Sequence, residues 1–162
     1  MSVKVFVRVT LIAALYFTLT FALQPISYGQ IQIRISEVLT VLPYFFPESI
    51  VGLTVGCILA NIFSPFGLID VVCGALCTLI AAILTYSVRK INKPYLGIIP
   101  PIAINAFGVG LYLSILTNSP PSFEIARYLF FSLTIAIGEA ISVGIGGSII
   151  ITYLLKRKKF SL

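Results

Sequence analysis

The sequence predicts an all-α integral membrane protein. The expected architecture is one domain over residues 1–162, a bundle of six transmembrane helices with both termini in the cytoplasm. Three observations carry this. Of the 162 residues, 59% are hydrophobic and 10% charged, with a mean hydropathy of +1.09; a water-soluble domain of this size cannot hide so much apolar surface. The apolar residues fall in six runs separated by polar or proline-bearing breaks. Nine of the eleven basic residues gather in three clusters at the ends of these runs: Lys4 and Arg8, then Arg89, Lys90 and Lys93, then Lys156 to Lys159. That is a positive-inside pattern and not a nucleic-acid footprint.

The first helix is expected from about Phe6 to Leu23. Its basic start and apolar body resemble a secretory signal, but no small-x-small cleavage site follows, so it is read as a retained helix. Thr10, Ala14, Thr18 and Ala22 recur every four residues and form one narrow stripe. Small residues let another helix approach closely inside lipid, so the stripe is either an internal packing face or a docking face for another subunit. The second apolar run, Val38 to Phe46, is short beside the roughly 20 residues a span needs. Treating Ser36 to Phe46 as a short crossing keeps all three basic clusters on one side. Pro47, Glu48 and Ser49 then form a tight cytoplasmic turn, with Pro47 announcing the next helix. The remaining spans are expected at Ile50–Phe63, Leu68–Val88, Tyr95–Leu116 and Phe123–Leu155. Pro100 and Pro101 lack amide donors and should kink or delay the fifth helix. The sixth run is longer than a crossing requires, so it is tilted or extends beyond the membrane.

This topology places the polar stretch from Gln24 to Glu37 on the outer side. Gln24, Tyr28, Gln30, Gln32, Arg34, Ser36 and Glu37 all lie there, between two apolar runs. The bland reading is a hydrated loop and a helix cap; the sharper one is a polar binding surface. Arg34 and Glu37, three apart, would form a local pair on a helix. Asn61, Asp70, Asn105 and Glu139 lie within spans, in the outer half or near the middle. A charged side chain in hydrocarbon costs roughly 2.5–3.5 kcal/mol on insertion scales. Glu139 and Asp70 must therefore face the protein interior, a partner or water. A structural hydrogen bond or a bound proton would explain Glu139 without a ligand, and helix capping would explain Asp70. Asn61 and Asn105 can donate and accept, and backbone groups freed by the prolines are an alternative partner for them.

Several functions are disfavoured. No G-x-x-x-x-G-K-[ST] motif is present, so the chain has no P-loop for ATP. There is no histidine, which removes Ser/His and Cys/His catalysis and makes a hydrolase or metalloprotease a poor fit. Cys57, Cys73 and Cys77 all lie in apolar runs and read as small buried residues, with no metal site implied. Gly144, Gly146 and Gly147 read as a helix-packing element. No enzyme activity and no cofactor are expected.

The stretch SYGQIQIRISEVLTVLPYFFPESIVGLTVGCILANIFSPFGLIDVVCG resembles the QueT family, and PPIAINA and GEAISVGIGG later in the chain are similar to the same family. These are substrate-binding S components of energy-coupling factor (ECF) transporters, assigned to queuosine precursors. The resemblance implies a six-helix S component whose ligand site opens outward. It also implies a coupling module of one transmembrane coupling protein and two ATPases. Docking through an A-x-x-x-A pattern on the first helix is implied too; here Thr18 stands between Ala14 and Ala22. The implied ligand is a 7-deazaguanine base of the preQ0 or preQ1 kind. The edge of such a base offers a ring N–H and an amino group beside a carbonyl. A carboxylate such as Glu139 matches the two donors, and an amide such as Asn105 the carbonyl. Tyr28 or Tyr112 suits stacking on the ring, and a cationic aminomethyl group would favour a second acid, Asp70 or Glu37. Two alternatives stand beside this reading: an S component for another vitamin, and a stand-alone carrier driven by protons through Glu139 and Asp70.

Overall fold

The computed structural model describes residues 2–27, 33–117 and 122–160, with side chains described as far as residue 157. Among these residues the secondary structure is entirely helical. Four helical stretches are long and apolar enough to cross a membrane: Val3–Ala22, Leu68–Ile91, Pro94–Leu116 and Ile125–Arg157. Two shorter apolar helices, Ile35–Tyr44 and Ser49–Asn61, lie between the first and the rest. The chain is thus an all-helical, multi-pass membrane protein. Its large exposed hydrophobics, such as Phe6, Leu11 and Leu15 on the first helix and Leu129, Leu133 and Ile137 on the last, face outward, as a bundle surrounded by lipid tails requires.

The first helix opens on Ser2, whose hydroxyl accepts from the Val5 amide at 3.4 Å. It buries Ile12, Ala13, Tyr16 and Thr20 against the rest of the bundle. The third helix lies directly against it. A Cβ on Gly56 would sit 2.8 Å from the Ala13 carbonyl oxygen and 2.8 Å from Tyr16 Cβ, so only glycine permits this approach.

The second segment is not α-helical. Ile35–Tyr44 is a ten-residue 3₁₀ helix. At about 2.0 Å per residue it reaches about 20 Å, where the same residues as α-helix would reach about 15 Å. The tighter winding lengthens the run, which still falls short of the roughly 30 Å hydrocarbon core of a bilayer. Pro43 contributes to it, because it has no amide to donate backward. The turn after it matches expectation: Ile50 N–H donates to the Pro47 carbonyl at 3.1 Å as the third helix begins.

The fifth and sixth segments are each interrupted. The fifth runs as a 3₁₀ turn Pro94–Ile98, an α-helix Ile99–Ile104, a π-helical turn Asn105–Val109 and an α-helix Gly110–Leu116. Pro100 and Pro101 stand at the first positions of its α-helix, where a missing amide costs least. They delay the helix, as the sequence suggests. The Gly97 carbonyl, deprived of an amide from Pro101, accepts instead from the Thr85 hydroxyl at 3.2 Å. The sixth runs as Ile125–Glu139, a π-helical stretch Ala140–Gly147, and Ser148–Phe160. The 3₁₀ segment packs on that π-helical stretch. A Cβ on Gly146 would meet Val38 Cγ2 at 2.6 Å, so this glycine sets the closeness of the two segments.

The basic clusters share one end of the bundle. Arg8 pairs with Glu48 at 2.8 Å and lies over the Phe46 ring; this bond holds the Glu48 carboxyl below its ordinary value. Tyr44, two residues before Phe46, lies beside Gly97, and Tyr95 bonds Thr152 at 3.0 Å. The polar residues of interest lie deeper or toward the opposite end, where Gln24 donates to the Phe63 carbonyl at 2.9 Å and Arg127 to the Thr117 carbonyl at 3.1 Å.

Candidate functional site

Among the described residues, the buried charged side chains are Arg34, Glu37, Asp70 and Glu139. They come from three different segments, the 3₁₀ helix, the fourth helix and the sixth, and converge inside the bundle, with Asn61 and Asn105 beside them. Each is positioned by a local feature of its segment.

Arg34 is the N-cap residue of the 3₁₀ helix, and Glu37 lies in its first turn. Beside the local charge interaction that their spacing suggests, both residues have tertiary partners. The Arg34 guanidinium reaches across to Asp70, Nη2 to Oδ2, at 3.7 Å, and its Nε donates to the Ser27 carbonyl at 3.4 Å. Glu37 accepts the Tyr16 phenol through Oε1. The chain direction is locked beside it by a 2.6 Å bond between the Thr20 and Ser36 hydroxyls and by Thr40 donating to the Glu37 carbonyl at 2.6 Å.

Asp70 stands in the first turn of the fourth helix, three residues after Gly67, whose φ of 68° makes the entering turn. The helix start favours a negative charge there. The carboxylate does not cap its own helix: Oδ1 accepts from the Tyr112 phenol and Oδ2 faces Arg34. Asn61 donates to the Asp70 carbonyl at 2.9 Å and to the Cys57 sulfur at 3.5 Å. That amide therefore ties the third helix to the start of the fourth.

Asn105 and Glu139 meet in the middle of the bundle, the amide donating to Glu139 Oε1 at 2.8 Å. Asn105 opens the π-helical turn of its segment, and Glu139 is the last residue before the π-helical stretch of the sixth. A π-helical turn inserts a residue into the α-helical register and is found mostly at functional sites. Two such turns, one at each partner of a buried hydrogen bond, are a shared local device. Asn105 also lies beside Glu37, and the two glutamates are near enough for their charges to interact.

The hydrogen bonds leave a specific remainder. Among the described residues, Glu37 Oε2, Asp70 Oδ2 and Glu139 Oε2 are buried and accept no hydrogen bond, although Asp70 Oδ2 has Arg34 at 3.7 Å, and the hydroxyls of Ser132 and Ser142 also lack hydrogen-bond partners. An ionised oxygen without a donor in a protein interior is expensive. The arrangement is able to take hydrogen-bond donors or a cation from a small molecule, at two carboxylates on facing segments with an amide between them.

Of the expected site residues, Arg34, Glu37, Asn61, Asp70, Asn105 and Glu139 lie in or around this cluster. Tyr28 and Gln32 fall outside the described residues. Tyr16 is a member that sequence reasoning missed. Its signal was available: with Thr20 it forms a polar i, i+4 pair on the helix face opposite the stripe of Thr10, Ala14, Thr18 and Ala22. All four stripe residues are exposed, and none packs inside the bundle.

A bundle of membrane-length apolar helices that encloses paired and unpaired ionisable side chains is the build of a multi-pass cell-membrane transport protein. The model of the QueT transporter family matches residues 6–156. The chain is also similar to the queuosine precursor transporter QueT of Lactococcus lactis subsp. cremoris (strain MG1363), 32% identical over 156 residues, covering 88% of either chain. The chain belongs to the QueT transporter family, and it is a transporter and not an enzyme. No solved structure matches it.

Proposed function

We propose that this chain is the substrate-binding S component of an ECF transporter, capturing a queuosine precursor outside the cell. It crosses the membrane six times, the 3₁₀ segment and the third helix being the short crossings, with both termini in the cytoplasm. The placement of the basic clusters at one end supports that orientation. The ligand is a 7-deazaguanine base, by analogy with the substrate that the lactococcal relative's name records. Glu139 accepts the ring N–H and amino donors, and Asn105 orients Glu139 and reads the carbonyl. The observation that carries this is the buried Glu139 carboxylate, held by Asn105 at one oxygen and open at the other.

Transport then needs an energy source that the chain lacks, since it has no P-loop motif. A coupling module of one transmembrane protein and two ATPases supplies it. The exposed stripe of Thr10, Ala14, Thr18 and Ala22 is the face on which that module docks, where small side chains allow close helix contact in lipid. The test is identification by mass spectrometry of the small molecule that co-purifies with the protein from cells supplied with queuosine precursors. A 7-deazaguanine base supports the reading; a vitamin of another class overturns the ligand assignment.

One observation favours a second reading. Three buried carboxylates face one buried guanidinium, a surplus that protons would neutralise in a carrier driven by the proton gradient. Uptake into liposomes containing this chain alone, driven by a pH gradient, would establish that reading in place of the first.

A further inference from the structure

The charge balance inside the bundle discriminates between forms of the base. Of the three buried carboxylates, Asp70 is compensated: Arg34 faces one oxygen at 3.7 Å and the Tyr112 phenol donates to the other. The buried Arg34 guanidinium makes its ion pair with Asp70 and reaches the other two carboxylates only through longer-range charge interaction. Glu37 and Glu139 receive only neutral donors, Tyr16 and Asn105 respectively, and each keeps a buried oxygen that accepts no bond. Neutral donors satisfy an edge of a carboxylate but leave its charge in the low-dielectric interior. The edge of a deazaguanine also offers only neutral donors. It suits Glu139, and the open oxygen of Glu37 is left to accept a further donor from the ligand.

We propose that Glu37, fixed by Tyr16, is the specificity-determining residue that seats a ligand ammonium group, so that this site selects the cationic 7-aminomethyl base over its neutral 7-cyano counterpart. This rests on the base-binding reading above. It assigns the second acid to Glu37 and not to Asp70, because Asp70 already has its cation. The reason is electrostatic: an ammonium supplies three donors and a positive charge to an oxygen that lacks both, whereas a nitrile is an acceptor and repels that oxygen.

The experiment is equilibrium binding of both bases to the purified full-length protein and to three variants. The unaltered protein should bind the aminomethyl base at least about tenfold more tightly than the cyano base, the worth of one charge-assisted bond. Glu37→Gln should collapse that ratio toward unity by weakening the aminomethyl base alone. Glu37→Asp keeps the charge and should keep the preference. Tyr16→Phe, which loses the positioning bond but not the carboxylate, should weaken the aminomethyl base and narrow the preference while leaving the cyano base unchanged. Equal affinity of the unaltered protein for the two bases would overturn the proposal and would mean that Glu37 is neutralised by a proton. A parallel loss of both bases in Glu37→Gln would overturn it too, making Glu37 structural. Binding of neither base to the unaltered protein is a different failure and would sink the base-binding reading itself.

Discussion

The Tyr16 hydroxyl donates to Glu37 from the first helix. Removing it in Tyr16→Phe strips a buried carboxylate of its donor, which costs on the order of 1–3 kcal/mol. The expected outcome is a lower midpoint of thermal unfolding for the detergent-purified protein; an unchanged midpoint would show that the bond adds no stability. At this scale the sequence was partly legible. Glu139, Asp70 and Asn105 announce themselves, because polar side chains inside apolar runs need interior partners. Their pairing was not legible. The i, i+3 spacing of Arg34 and Glu37 points to a local interaction, but their long-range partners, Asp70 and Tyr16, could not be read from it. Spacing reports neighbours on one helix and is silent on which helix lies across the interior.

The segments that carry the site are the irregular ones. The 3₁₀ helix brings Arg34 and Glu37 inward, and the π-helical turns begin at Asn105 and directly after Glu139. The positions of the four long apolar helical stretches were readable from hydropathy to within a few residues, including Leu68–Val88. The winding was not, because 3₁₀, α and π helices share one hydropathy pattern and differ only in hydrogen-bond register. The glycines separate the roles. Gly146→Ala drives a methyl to 2.6 Å from the stiff Val38 side chain and should destabilise by about 1–3 kcal/mol through overpacking. Gly144→Ala meets nothing within 4 Å and should leave stability unchanged or slightly raised, since alanine is the better helix former. Thermal unfolding of both variants checks the contrast; equal midpoints would contradict the packing account.

For the whole molecule, one face of the first helix packs inward and the other is available. Ile12, Ala13, Tyr16 and Thr20 are buried, while Thr10, Ala14, Thr18 and Ala22 are exposed. Replacing Ala14 or Ala22 by phenylalanine should therefore leave base binding intact and abolish uptake in cells, because only the approach of the coupling module is blocked. Normal uptake by both variants would remove the stripe from the mechanism. Orientation is open to a direct check as well. In a background without the native cysteines, Asn92→Cys should be labelled only from the cytoplasm and Ser122→Cys only from outside.

The central claim is that Glu139 reads the base from within the bundle. The most direct measurement is the affinity of purified Glu139→Gln for a 7-deazaguanine base, beside that of the unaltered protein. The substitution keeps the side chain's shape and replaces an acceptor oxygen with a donor that faces the ligand's own donors. A lost charged bond worth roughly 1.5–3 kcal/mol predicts weakening of at least about tenfold. Unchanged affinity in a variant that remains folded would contradict the account and place the ligand elsewhere.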